Sequence, residues 1–218
     1  MNREGSLRRI RRGLYLVTPP GAAPLHPLVI ASALDETAVV SGWAALHHHG
    51  LTEQIPRVIE VTTTRRLRGL TYVAGRPMLT FEGERFEVVT IQPARMFGAE
   101  VTWFDNERAR ILDRERAVLD LFVRVREFGG IGTALDMLEA HRSKVRINHL
   151  IAHALTLDVA SVTKRLGWSL ERLGVGHRQL RALLEVRASA YNLLDPSRPA
   201  TGKREARWQI RNNLETAA

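Results

Sequence analysis

His149 and His153 stand four residues apart, which on a helix sets both imidazoles on one face at the spacing of two metal ligands. Leu150 follows His149, so the glutamate base of a His-Glu-x-x-His zinc protease is missing, and no third ligand stands near the pair. His47, His48 and His49 are consecutive. Neighbours on a helix point about 100° apart, so these three cannot meet on one ion. His47, four residues after Trp43, reads as a packed, hydrogen-bonded imidazole. Asp113, Glu115 and Asp120 share one helix. The first two occupy its cap and first turn, where negative charge suits the helix dipole. Asp120, between Arg116 and Arg124 at four-residue spacing, reads as part of a surface ion-pair ladder. The stretch 129–132 (Gly-Gly-Ile-Gly) lacks the Lys-Ser/Thr of a phosphate loop and joins two helices, so it is a helix stop, as is Gly174-Val175-Gly176. There is no Gly-x-Ser-x-Gly elbow, no acidic pair at a strand end and no cysteine. The expectation is a protein without metal, cofactor or catalytic set: not an enzyme.

The chemistry that remains is that of guanidinium. The chain of 218 residues carries 32 Lys+Arg against 23 Asp+Glu, a net charge of +9, and only Lys144, Lys164 and Lys203 among the cations are lysine. Arginine's planar fork suits phosphate, and equally a carboxylate on a protein partner. The charge is clumped. Arg3, Arg8, Arg9, Arg11 and Arg12 crowd the start, Arg65, Arg66 and Arg68 form a second knot, and Arg198, Lys203, Arg204, Arg207 and Arg211 a third near the end. Such blocks are a footprint for polyanions. Arg8, Arg9, Arg11 and Arg12 are the first candidates for phosphate contacts, followed by Arg65, Arg66 and Arg68 and by Lys203, Arg204, Arg207 and Arg211.

The elements that must position these groups follow from period and punctuation. Residues 7–11 and 14–17 read as the arms of a hairpin turning at Arg12-Gly13. Four of the nine prolines fall in 18–27, a linker. Helices are expected at 28–34 and at 42–49, the second capped by Ser41 and stopped by Gly50. Strands are expected at 58–63, 70–73, 78–81, 86–91 and 109–112. From Asp113 the period becomes 3.6, with helices from 113 to the glycines at 129–130 and at 133–141, 147–157, 161–173 and 177–187. A loop at 192–202 and a strand at 207–211 close the chain. Trp43, Leu46 and Leu51 are assigned to the core. Strands followed by helices make an α+β fold: a β-ribbon, a mixed strand region, then a helical C-terminal half. The helices 147–157 and 161–173, joined by about three residues, also imitate a helix-turn-helix, but plain packing of the two helices is the preferred reading. No apolar stretch is long enough to span a membrane. The short run 14–17, broken by Pro19 and Pro20, does not make a signal peptide, so a cytoplasmic protein is expected.

Five segments carry a family likeness: RRIRRGLYLV (8–17), AVVSGWAALHHHGLTEQIP (38–56), DRERAVLDLF (113–122), ASVTKRLGWSLERLG (160–174) and LLDPSRP (193–199). Together they resemble the AbiEi antitoxins, or AbiEi-like transcriptional regulators, of type IV toxin–antitoxin systems, with the Ser-Gly-Trp…Leu-His…His-Gly-Leu-Thr block the most specific. The resemblance implies a winged helix-turn-helix that represses its own operon by binding operator DNA. It also implies an antitoxin domain that counteracts a nucleotidyltransferase-like toxin encoded beside it. On this reading residues 1–21 are the wing of the winged helix and its linker, and 22–218 the antitoxin domain. Only seven residues precede Arg8, so the helices that come before the wing in such proteins are expected to be missing from this sequence. The alternative is a stand-alone DNA-binding regulator with no toxin partner.

Overall fold

The computed structural model describes residues 6–214 and divides into two units, Met1–Asp113 and Arg114–Ala218. The division falls where the hydrophobic period changes from 2 to 3.6. No helix among the described residues is long and apolar enough to cross a membrane.

Unit 1 opens with the expected hairpin, β1 (Ser6–Arg11) and β2 (Leu14–Thr18). Gly13 supplies the turn with φ +78°, open to glycine at no steric cost. Leu7 pairs with Val17 and Arg9 with Tyr15, and the register shifts between Arg9 and Arg11. One face of the ribbon presents Leu7, Tyr15 and Val17 to solvent, while Ile10 on the other is buried. The chain continues through α1 (Pro27–Ser32), β3 (Val39–Ser41), α2 (Gly42–His48), β4 (Ile59–Thr63), β5 (Thr71–Val73), β6 (Arg76–Phe81), β7 (Glu84–Thr90), β8 (Ala99–Phe104) and β9 (Glu107–Leu112). The last seven strands form one sheet in the order β5-β6-β7-β4-β3-β9-β8. β4 runs parallel to β7 and β3 parallel to β9; the other pairs are antiparallel. Val40, Val61, Phe86, Ala109 and Ile111 are wholly buried, with α1 against β9 and α2 against β4.

Ser41 does not cap α2 with its side chain. Its hydroxyl donates instead to Glu60 Oε1 at 2.6 Å and pairs with Thr62 at 2.8 Å, because the strand β3 holds it over β4. Leu46 and Leu51 are in the core as expected, but Trp43 is only half-buried. β3 and β8 had no expectation from the sequence.

Unit 2 contains α3 (Arg114–Val123), α4 (Ile131–Ala140), α5 (Ile147–Leu157), α6 (Ala160–Arg172) and α7 (His177–Glu185). A small sheet, β10 (Asn192–Leu193), β11 (Lys203–Glu205) and β12 (Ile210–Asn212), follows with β12 in the middle. Two short strands and a 3-10 turn thus replace the single strand expected at 207–211. The expected helix running from 113 to the glycines stops at Val123.

One reading of unit 2 is corrected. Asp120 is not on the surface: it is 5% exposed and paired with Arg116, itself 5% exposed. α3 is buried from residue 115 to 122, so its ion pair sits inside the helical layer. For α5 and α6 the preferred reading, plain helix packing, fits, and the helix-turn-helix alternative does not. Every residue of α6 from 162 to 170 is buried, and a helix buried all round cannot lie in a DNA groove. Its buried cations, Lys164 and Arg165, are structural. Lys164 donates to the carbonyls of Leu183 and Leu184, at 3.3 and 3.0 Å, in the last turn of α7, and burial pushes its pKa down. Arg165 Nε donates to the Leu193 carbonyl at 2.9 Å.

Candidate nucleic-acid interface

The arginines of unit 1 organise around one short turn between α1 and β3. Asp35 in that turn accepts from the Thr37 amide at 2.9 Å, from the Thr37 hydroxyl at 2.6 Å and from the Thr63 hydroxyl at 3.0 Å. Burial pushes its carboxyl up, but these bonds and the nearby Arg65 outweigh that and hold it below the usual carboxylate range. The turn is therefore a fixed anionic and carbonyl-rich point. Arg11, from the ribbon, donates through Nε and Nη2 to the Leu34 carbonyl at 2.9 and 2.6 Å. Arg65, from the loop after β4, pairs with Glu36 and lies 4.0 Å from Asp35. Arg110, from β9, donates to the Asp35 carbonyl at 3.2 Å. A cleft of about 490 Å³ opens at the turn, walled by Asp35 and Glu36 of the turn itself and by Ser32, Val101, Arg108 and Arg110.

Residues far apart in sequence thus meet at the turn, and the expected phosphate contacts separate into two sets. Arg8 pairs with Glu82 and donates to the Thr18 hydroxyl at 3.0 Å; with Arg11 it pins the ribbon to unit 1. Arg65 is 60% exposed at the side chain although paired. Arg9, Arg12, Arg66 and Arg68 are exposed, with no ion-pair partner among the described residues. The third cluster lies in unit 2. There Lys203 is exposed, Arg204 sits 5.4 Å over the Tyr191 ring, Arg207 Nε donates to Glu171 at 2.7 Å and Arg211 to the Ala200 carbonyl at 2.7 Å. Arg3 of the first cluster lies outside the described residues.

Arg108 and Arg110 were absent from the sequence candidates. A signal existed: in the run Glu-Arg-Ala-Arg-Ile-Leu the two arginines alternate with Ala109 and Ile111, which marks one wet and one dry face of a strand.

The histidines of unit 1 pack against its core or line a second cleft, whereas His149 on α5 in unit 2 is exposed. His47 Nδ1 is 3.1 Å from the Thr52 carbonyl and His49 Nε2 is 2.7 Å from the Leu112 carbonyl. His26 stacks on Phe104 with ring centroids 4.0 Å apart and the planes 20° from parallel. His48 lies 5.9 Å from the same ring. Both line a cleft of about 420 Å³ with Leu28, Ala44, Ile55 and Ile59. Burial pushes both imidazoles down, and for His48 the adjacent histidines add to it, so both are neutral near pH 7. Among the described residues no group of three His, Cys, Asp or Glu side chains could hold a metal ion.

No protein-family profile matches the chain, and no curated protein matches it. Among solved structures, the RV2827C protein from Mycobacterium tuberculosis superposes with a TM-score of 0.60 at 16% identity, covering 95% of this chain and 75% of that one. The two share a fold. A candidate nucleotidyltransferase from Helicobacter pylori matches at a TM-score of 0.34 and 13% identity, over 74% of this chain and 80% of its own. JHP933 from the same organism matches at 0.30 and 12%, over 71% and 90%. Scores that low carry no argument about this chain.

Proposed function

We propose that this protein is a DNA-binding antitoxin of the AbiEi type, acting by binding, with operator DNA and a nucleotidyltransferase-like toxin as its partners. The observation that carries the DNA-binding half is the set of exposed guanidinium groups, Arg9, Arg12, Arg66 and Arg68, held on the unit whose Arg11 and Arg65 meet at the turn 34–37. Guanidinium groups fixed to a rigid scaffold and left without carboxylate partners suit phosphate.

The antitoxin half rests on the resemblance, whose motifs turn out to be folding determinants. Ser41-Gly42 holds β3 over Glu60, and a Cβ on Gly42 would come within 2.9 Å of that carboxylate. Lys164 closes the end of α7. Asp195 of the Leu-Leu-Asp-Pro-Ser-Arg-Pro motif accepts the Ile131 amide at 3.1 Å, at the start of α4.

Two measurements test the proposal. Coexpression with the neighbouring toxin gene should restore growth; toxicity that persists with soluble protein present sinks the antitoxin role and leaves a stand-alone regulator. For DNA, the double variant Arg9→Gln/Arg12→Gln should weaken binding about equally on all sequences. It should also reduce the magnitude of the log–log salt slope by about 2. Affinity that is flat in salt for the parent protein rules out phosphate-driven binding. Arg8→Gln should change the slope less, because Arg8 is already paired with Glu82.

A further inference from the structure

Trp103 is 64% exposed, the highest exposure of any tryptophan among the described residues, and its neighbour on the same face, Val101, is 53% exposed. Both belong to β8, the outermost strand of the sheet at one end, with nothing paired to its free edge among the described residues. Leaving an indole in water forgoes a large burial term, so an exposed tryptophan on a regular strand asks for a partner. Its surroundings select the partner. In the β8–β9 register Trp103 lies opposite Arg108 and Val101 opposite Arg110, so both arginines share the face of the indole. Directly opposed residues have Cβ atoms about 4.5–5.5 Å apart, which places a guanidinium beside a flat aromatic surface.

We infer that Trp103 is a stacking platform for an unpaired nucleobase, and that the exposed Arg108, with the nitrogens of Arg110 not given to the Asp35 carbonyl, carries the adjoining phosphates of a single strand. The inference rests on the nucleic-acid reading proposed above and names the ligand class of a second surface on the same unit. Base stacking on an aromatic ring is indifferent to sequence, and a cationic groove alongside tracks the backbone. A base inside a duplex already has both faces covered, so this surface takes single strands. The carboxylates nearby set the direction of the track. Asp105 and Glu107 are exposed at the β8–β9 turn and repel phosphate there. Asp35 and Glu36, on the other side, are both engaged by Arg65. The strand therefore runs from Trp103 inward, past Arg108 to Arg110 and the cleft beside the turn 34–37, and not beyond the hairpin end.

The test uses the full chain with an oligothymidylate and an oligouridylate of about 12 nucleotides, and the same length of operator duplex. Either single strand should quench tryptophan fluorescence, and Trp103→Phe should remove that quench, since Trp168 and Trp208 are buried and Trp43 half-buried. Trp103→Ala should weaken single-strand affinity about tenfold. Arg108→Gln/Arg110→Gln should lower the single-strand salt slope, whereas Asp105→Asn/Glu107→Gln should tighten binding. Single-strand affinity unaltered by Trp103→Ala overturns the inference while leaving the duplex-binding proposal standing. So does a Trp103→Ala variant that changes only the oligomeric state in sedimentation, which would make β8 a contact between copies. Single-strand binding that depends on Trp103, without operator binding, keeps the inference and sinks the regulator. A protein that binds none of the three probes sinks both.

Discussion

Truncating Trp208 to alanine should destabilise unit 2 by about 3–5 kcal/mol, read as the shift in its denaturant midpoint followed by far-ultraviolet circular dichroism. Trp208 is 1% exposed, and its Nε1 donates to Glu171 at 2.6 Å. Its ring lies against α6 at Gly167, where a Cβ would run into the indole. Gly167→Ala in the parent protein should therefore cost about 2–3 kcal/mol by overpacking, although alanine is the better helix former. In the Trp208→Ala background the same change should become neutral or favourable by up to about 1 kcal/mol, because the obstructing ring is gone and only helix propensity remains. Additive losses in that double-mutant cycle would show that the glycine and the indole do not define each other. Trp43→Ala should cost less than Trp208→Ala, since Trp43 is only half-buried; the sequence alone had placed it in the core.

Glu115→Gln should cost unit 2 about 2 kcal/mol at neutral pH and should flatten its acid denaturation. Glu115, on α3, is fully buried, with Oε1 accepting from the Arg146 amide at 2.9 Å and from its Nε at 3.2 Å, and Oε2 from its Nη2 at 2.6 Å. Arg146 is the residue immediately before α5, so the carboxylate also closes the amino end of that helix. Burial pushes the carboxyl up, but the bonds and charge of Arg146 outweigh it and hold Glu115 below the usual range. A folded-state value below the unfolded one, about 4.3, means the unfolded chain binds the proton first. The stability from this group is complete above about pH 4.3 and drains away as pH falls through the lower folded value. Arg146 is 58% exposed at the side chain and can be rehydrated, which keeps the loss below that of a fully buried pair. An acid limb of the same depth in parent and Glu115→Gln would remove Glu115 from the account.

Much of this architecture was legible from local pattern. The ribbon followed from two short β-rich arms around Gly13, whose positive φ only glycine adopts freely. α5 was bounded to the residue, and α4, α6 and α7 to within two, because their apolar residues recur at helical spacing. The strand β8 was not legible. The run Ala-Glu-Val-Thr-Trp does alternate, but its apolar residues Val101 and Trp103 face solvent, so the pattern does not report a buried face. β3, with three residues, is too short to show a period.

The arginine clusters were written in the sequence, as were the α+β order of elements and the change of period at Asp113, since composition and periodicity are properties of a chain segment by itself. Which arginines remain open to a ligand was decided in three dimensions. Arg8 and Arg9 are adjacent and chemically identical, yet Arg8 turns to Glu82 and Arg9 to solvent. Arg11 is spent on the Leu34 carbonyl, and Lys164 on carbonyls about twenty positions away. A cation's fate depends on whether an acceptor stands within about 3 Å of it, and those acceptors arrive from distant segments that only the folded chain brings near.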